Sequence, residues 1–248
     1  MQQIALVTGS SKGIGKSIAV ELAKNDYFVY VTYKSDKEGA LNTVSEIESA
    51  NGKAKAVELN VVDEPSVKKV FTGIRSDYGY LNVLINNAGI EVPKNIEDVT
   101  FIEWQSVINT KISGNFLCTK YAIPLLKNQT NANLIIITSS LGERPDPDYP
   151  AYCTGTAGTI AFMKAMALYL GKYGIRTNAV NPGTTKTPMW ESMGGNNDQM
   201  WIDFAKSNPM GRVSTTQDIA NAVLMIVKDK SNFLNGNMIY MNGGGHLK

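Results

Sequence analysis

The residues this chain has few of narrow its chemistry first. It contains a single histidine, His246, two residues from the C-terminal lysine. A histidine-based catalytic triad or an imidazole-built zinc site is therefore not expected, and no metal is assigned. Its two cysteines, Cys118 and Cys153, show neither metal-ligand spacing nor a disulfide framework, so they read as free thiols of a reducing compartment. No run of about 18 apolar residues occurs, so nothing in the sequence is expected to span a bilayer. Charge is nearly balanced, with 24 Lys and Arg against 22 Asp and Glu, which argues against a nucleic-acid or membrane-surface partner. Internal repeats, low-complexity tracts and linkers are absent. The opening MQQIALVTGSSKGIG enters a strand and turn at once, without the basic region and apolar core of a secretory leader. The expectation is one cytoplasmic domain covering residues 1–248, with ordinary globular composition of 43% apolar and 19% charged residues.

What is present is an alternation. Strand-like apolar runs at residues 4–8, 28–33, 55–59, 81–86, 134–138, 176–180 and 237–241 are separated by helix-like stretches near 15–24, 39–50, 65–78, 101–126, 151–172 and 216–227. Most of the strand runs are continuously apolar rather than alternating, as strands covered on both faces require. The pattern predicts an α/β fold: a doubly wound, Rossmann-type parallel sheet of about seven strands with helices on both faces.

Between the first strand and first helix lies Thr8-Gly9-Ser10-Ser11-Lys12-Gly13-Ile14-Gly15. Glycines there permit a tight turn and let a pyrophosphate approach the helix N-terminus, whose free N–H groups favour anions. Alone, such a triplet is also compatible with a simple turn. Three more motifs follow in order: Asn86-Asn87-Ala88-Gly89, Ser139 with Tyr152 thirteen residues on, and Asn181-Pro182-Gly183 followed by Thr187. Together they resemble the short-chain dehydrogenase/reductase family, and most of all its 3-oxoacyl-carrier-protein reductase-like members, over essentially the whole chain. The resemblance implies an oxidoreductase that moves hydride between a nicotinamide cofactor and a ketone, and a homotetramer. It also implies cofactor contacts from Gly9, Ser11, Lys12, Gly13, Ile14, Gly15, Tyr33, Lys34, Asn60, Val61, Asn87, Ala88, Gly89, Pro182, Gly183, Thr185 and Thr187.

Charge bears on which cofactor. An acidic residue ending the second strand binds the ribose 2′-hydroxyl of NAD and repels a 2′-phosphate. Here that strand ends Thr32-Tyr33-Lys34-Ser35, with no carboxylate before Asp36, and Lys34 and Lys12 offer two ammonium groups. NADP(H) is the expected cofactor, against the alternative that both lysines are solvated surface residues.

The catalytic positions depart from the family pattern twice. In that pattern a serine holds the carbonyl, a tyrosine passes a proton to its oxygen, and a lysine four residues after the tyrosine favours the phenolate and contacts the nicotinamide ribose. A phenol ionising near pH ~10 needs such a cation to cycle near neutrality. An asparagine on the preceding helix holds a water that links the lysine to solvent. Ser139 and Tyr152 match, with Ser140 a turn-forming alternative to Ser139. The lysine position is Thr156, and the asparagine position, counted from Trp104, is Lys111. Asn109 lies two residues out of that register.

The cation lost at one position thus reappears at another that the family places beside it. A transposed lysine is predicted, with Lys111 supporting Tyr152 and Thr156 meeting the ribose. The opposing reading is drift in a non-catalytic NADP-binding subunit that pairs with an active relative. A third reading is an alcohol dehydrogenase running in the oxidative direction. Substrate specificity is assigned to the loops at 91–99, 143–150 and 184–210, the last expected to form a lid. Its Met189, Trp190, Met193, Met200 and Trp201 suggest an apolar ceiling, or simply the packing of a short helix. Glu143 and Arg144 either border the substrate or form solvated loop charges, and Cys153 is read as packing. The substrate partner is a small carbonyl compound, possibly a carrier-linked acyl chain.

Overall fold

The computed structural model describes residues 1–192 and 197–247. The expected Met193 of the lid lies outside the described residues. The strands are β1 (Gln3–Val7), β2 (Tyr27–Tyr33), β3 (Lys53–Glu58), β4 (Val83–Asn86), β5 (Asn133–Ile137), β6 (Arg176–Pro182) and β7 (Met238–Met241). They form one sheet in the order β3-β2-β1-β4-β5-β6-β7, and every pairing is parallel. Helices α1 (Gly13–Lys24), α2 (Lys37–Ser49), α3 (Glu64–Asp77), α4 (Phe101–Ile108), α5 (Gly114–Leu126), α6 (Pro150–Leu170), α7 (Pro188–Ser192), α8 (Asp198–Lys206) and α9 (Thr216–Val227) complete it.

The apolar strand runs explain this arrangement directly. Successive side chains on a strand point to opposite faces, so Ile4 and Leu6 of β1 join a core with Leu84, Leu134 and Ile136 beneath α3, α5 and α6. Ala5 and Val7 join the opposite core, with Val83, Ile85 and Ile135, beneath α1, α2 and α9. All residues of β4, β5 and β6 are buried. Each fully buried Leu or Ile side chain contributes about 1.5–3 kcal/mol of hydrophobic stabilisation. No helix among the described residues is long and apolar enough to cross a membrane.

Two features position the site. Strand order reverses between β1 and β4, and a crevice opens outside the carboxyl ends of parallel strands at such a switch point. The helix expected at 101–126 is also not continuous. A five-residue π turn, Asn109–Ser113, separates α4 from α5. Helical periodicity does not reveal a π turn, because one extra residue leaves the apolar pattern on either side intact. Within 184–210 the described residues form α7 and α8, with Trp201 buried and its ring centroid 6.0 Å from that of Trp190.

Candidate active site

A cavity of about 730 Å³ runs along the carboxyl ends of the strands. Its first wall is the glycine-rich turn. Gly9 and Gly13 have φ of +63° and +61°, a left-handed conformation that glycine adopts at little cost. Side-chain hydroxyls then pin the turn to both neighbouring strands. Thr8 Oγ1 accepts the backbone N–H groups of Asn87 and Ala88, each at 2.9 Å. Thr32 Oγ1 accepts from Gly9 N at 3.1 Å, and Ser10 Oγ accepts from Thr32 N at 2.8 Å. The Asn87 side-chain amide donates to Thr8 O and Gly9 O at 2.9 and 3.0 Å. A Cβ on Gly15 would run into the Gly9 carbonyl oxygen and Asn87 Nδ2, so only glycine fits there. The start of α1 has no side-chain cap, leaving its first N–H groups open to an incoming anion.

Nearly all the residues expected to bind cofactor line this cavity: Gly9, Ser11, Lys12, Gly13, Ile14, Gly15, Lys34, Asn60, Val61, Asn87, Ala88, Gly89, Pro182, Gly183, Thr185 and Thr187. Tyr33 does not. Its ring packs against the sheet core under α1 and α2, because the alternation of β2 turns that position away from the crevice. Asn86 is likewise internal, its amide bound to Thr119 Oγ1 at 3.1 Å. Asp36, the first carboxylate after β2, caps α2 by accepting Gly39 N at 3.0 Å.

The second wall carries the residues expected to react. Ser139, Ser140 and Tyr152 line the cavity together with Lys111. Ser139 Oγ accepts from Leu141 N at 3.3 Å, a contact that leaves its hydroxyl proton free to point elsewhere. Lys111 is only 4% exposed. Its ammonium donates to the Tyr152 hydroxyl at 3.3 Å and sits 4.5 Å from the centroid of that ring.

The sequence builds the path for this side chain. Gly155 stands where a Cβ would lie 3.1 Å from Lys111 Cβ, and Gly89 where one would lie 3.1 Å from both Cε and Nζ. Two glycines on separate elements therefore admit the buried lysine stem. The π turn supplies its other anchor, since Lys111 O receives the Asn115 side-chain amide and the Thr159 hydroxyl, the latter at 3.3 Å. Thr159 lies on α6, so the lysine is tied to the helix that carries Tyr152. Burying an ammonium is costly without partners, and the phenol oxygen, the aromatic face and the charge of the nearby Glu91 carboxyl are what the fold provides.

Thr156 is placed differently from the expectation. It is fully buried, is not part of the cavity wall, and its hydroxyl has no hydrogen-bond partner among the described residues. Its methyl group packs toward Gly142, within 2.8 Å of where a Cβ on that glycine would stand. A ribose contact from Thr156 is therefore not available in this arrangement. One turn of α6 separates it from Tyr152, but the short threonine cannot reach past the helix surface as a lysine would.

Some wall residues were expected only through the loops that carry them. Phe204 of α8 joins Met189, Trp190 and Met200 as apolar lining, held by a Trp190–Phe204 ring contact at 5.3 Å. Glu91 and Tyr149 line the cavity beside Lys111 and Tyr152. Burial pushes the Glu91 carboxyl up to about 7, and the Lys111 ammonium opposes part of that rise. A charge two residues after the Asn-Asn-Ala-Gly motif was the available signal. Glu143 turns from the cavity, accepting from Tyr240 Oη at 3.1 Å and Asn181 Nδ2 at 3.4 Å. Arg144 donates to the Gly245 carbonyl. Cys153 Sγ is bound to the backbone of Asp146, and burial raises its thiol. Among the described residues no group of three or more His, Cys, Asp or Glu side chains is placed to hold a metal ion.

Known proteins share this architecture. The family described as Enoyl-(Acyl carrier protein) reductase matches residues 9–246. The 3-oxoacyl-[acyl-carrier-protein] reductase FabG of Staphylococcus aureus is 35% identical over 247 residues, covering 100% of this chain and 99% of that protein. Two solved structures superpose closely. One is the promiscuous reductase LugOII, which catalyses keto-reduction at C1 during lugdunomycin biosynthesis, at 29% identity and a TM-score of 0.91 over 99% of this chain and 98% of that one. The other is acetoin dehydrogenase YohF from Salmonella typhimurium, at 29% identity and a TM-score of 0.87 over 100% and 97%. With the fold, the switch-point crevice and the ordered motifs in agreement, the chain belongs to the short-chain dehydrogenase/reductase family of oxidoreductases, among its 3-oxoacyl-carrier-protein reductase-like members.

Proposed function

We propose that the protein is an NADP(H)-dependent reductase of a ketone, 3-oxoacyl or similar, in which Lys111 takes over the work of the family's usual lysine. The observation that carries the proposal is the buried Lys111 ammonium 3.3 Å from the Tyr152 hydroxyl. A protein drifting away from catalysis has no reason to keep a costly buried cation on that oxygen, in a slot cleared by Gly89 and Gly155.

The cradle fits a dinucleotide. The open N-terminus of α1 and the backbone of the 9–15 turn would hold the pyrophosphate, Asn60 and Val61 would border the adenine, and residues 87–89 its ribose. Lys12 and Lys34, both exposed at the rim of the cavity, favour a 2′-phosphate over a bare hydroxyl, while Asp36, the first carboxylate after β2 in sequence, is occupied at a helix cap. When bound, the reduced nicotinamide supplies the hydride.

The chain's own residues do the rest. Ser139 donates a hydrogen bond to the carbonyl oxygen and polarises it. Tyr152 passes its proton to that oxygen as it becomes an alkoxide. The Lys111 ammonium stabilises the negative charge left on the phenol oxygen. The relatives' names speak of different substrates, a carrier-linked 3-oxoacyl group, a C1 ketone and acetoin, which have a ketone or its carbinol in common.

The test is turnover by the purified chain alone, followed as NADPH consumption over a panel of ketones. Turnover that disappears in Tyr152→Phe and Ser139→Ala supports the proposal. Silence of the wild type with both NADPH and NADH across the panel contradicts it.

A further inference from the structure

Glu91 has no role in the steps above, yet it faces them. It lies two residues beyond Gly89, half-buried in the cavity wall alongside Lys111, Tyr149 and Tyr152. Its charge is felt by Tyr149 and Cys153 at the start of α6, and it feels the Lys111 ammonium on the π turn. Asp146 is the other carboxylate in this wall, and one of its oxygens already accepts Asp148 N at 2.9 Å. No hydrogen bond to the Glu91 carboxylate is donated by any described residue. A substrate that closes this wall to solvent leaves such an acceptor costly unless it brings a donor of its own. The Lys111 ammonium and Tyr149 interact with the Glu91 carboxyl only through space, and Ile90, Leu141, Met200 and Phe204 of the same wall are apolar.

We infer that Glu91 is a specificity-determining residue that accepts a hydrogen bond from a hydroxyl one or two carbons from the substrate carbonyl, so that the preferred substrate is a hydroxyketone. The inference rests on the ketone-reductase reading. The ketone carbon gains a hydride and its oxygen gains the Tyr152 proton, giving a diol while the nicotinamide is oxidised. The neighbouring hydroxyl is unchanged and serves only for recognition. Sites that hydrogen-bond a substrate hydroxyl reject analogues lacking it, because their own buried polar group is then left unpaired. An unsubstituted ketone, or a 3-oxoacyl thioester with methylenes on both sides of its ketone, leaves Glu91 in that condition.

The experiment compares kcat/KM for 1-hydroxybutan-2-one, butan-2-one and acetoacetyl-coenzyme A, in wild type, Glu91→Gln and Glu91→Leu. Melting curves check that each variant is folded. A charge-assisted hydrogen bond predicts a wild-type preference of about 10- to 100-fold for the hydroxyketone over butan-2-one. Glu91→Leu brings that ratio near one, and Glu91→Gln, which keeps an acceptor oxygen, retains part of it. A wild-type ratio near one, a preference for acetoacetyl-coenzyme A, or a ratio unmoved by Glu91→Leu overturns the inference while leaving the reductase reading intact. Failure of the wild type to reduce any of the three overturns both.

Discussion

Replacing Lys111 with methionine removes the charge while keeping most of the side-chain volume, so it isolates the electrostatic role given to this residue. At 3.3 Å, an ammonium and a full phenolate attract each other by about 5 kcal/mol at an effective dielectric of about 20. In the transition state the phenol oxygen carries only part of that charge. If about half has developed, the loss is about 2–3 kcal/mol, or roughly 30- to 150-fold in kcat. Stability should change little, because exchanging a buried cation with a neutral partner for an apolar side chain is often neutral or better. The assay is steady-state NADPH oxidation with saturating ketone, paired with thermal unfolding to confirm the fold. A Lys111→Met enzyme within about threefold of wild-type kcat refutes the reasoning, because the ammonium would then contribute less than about 1 kcal/mol to the transition state.

Three other outcomes follow from the same geometry. Gly155→Val places a branched side chain where even a single Cβ would lie 3.1 Å from Lys111 Cβ; it should displace the lysine and lower kcat at least tenfold, with cofactor affinity measured by fluorescence titration largely kept. Lys34→Asp puts a carboxylate at the end of β2, so the ratio of kcat/KM for NADPH over NADH should fall by about 10-fold or more. Glu91 should also make stability depend on pH. Its folded carboxyl ionises only near about 7 against 4.5 when unperturbed, so between those values the native state holds the extra proton and stability falls as pH rises. Glu91→Gln should therefore gain stability relative to wild type by up to about 2 kcal/mol more at pH ~8 than at pH ~5, read by urea denaturation.

Much of this was legible in the chain, for physical reasons. Short continuous apolar runs such as Leu134 to Ile137, separated by helix-length stretches, fit strands buried on both faces, and that alternation made the parallel sheet readable. The Thr8–Gly15 turn was readable from its glycines, which a tight strand-to-helix turn requires, while the hydroxyl bonds that pin it were not. Lys111 was readable only by register from Trp104, and that count brought it to the Tyr152 hydroxyl. The π turn that holds it was not legible, since it depends on side-chain bonds from Asn115 and Thr159 to one carbonyl. Thr156 and Tyr33 were expected at the cofactor because their neighbours in sequence belong there. Thr156 is fully buried and Tyr33 packs, partly buried, against the sheet core instead, a matter of which side of an element points out. Glu91 carried a visible charge, but its significance appears only when the cavity shows what does not bind it.

Everything proposed for the reaction turns on a catalytic cation supplied by Lys111 in place of a lysine at position 156. The most direct test is the kcat of four proteins with one ketone and NADPH: wild type, Lys111→Asn, Thr156→Lys and the double exchange. The account predicts an active wild type, a Lys111→Asn enzyme at least 30-fold slower by the roughly 2 kcal/mol or more of lost charge stabilisation, and substantial recovery in the double exchange. A silent wild type that becomes active only when Thr156 is exchanged for lysine and Lys111 for asparagine would contradict it, and would mark the native site as catalytically lost.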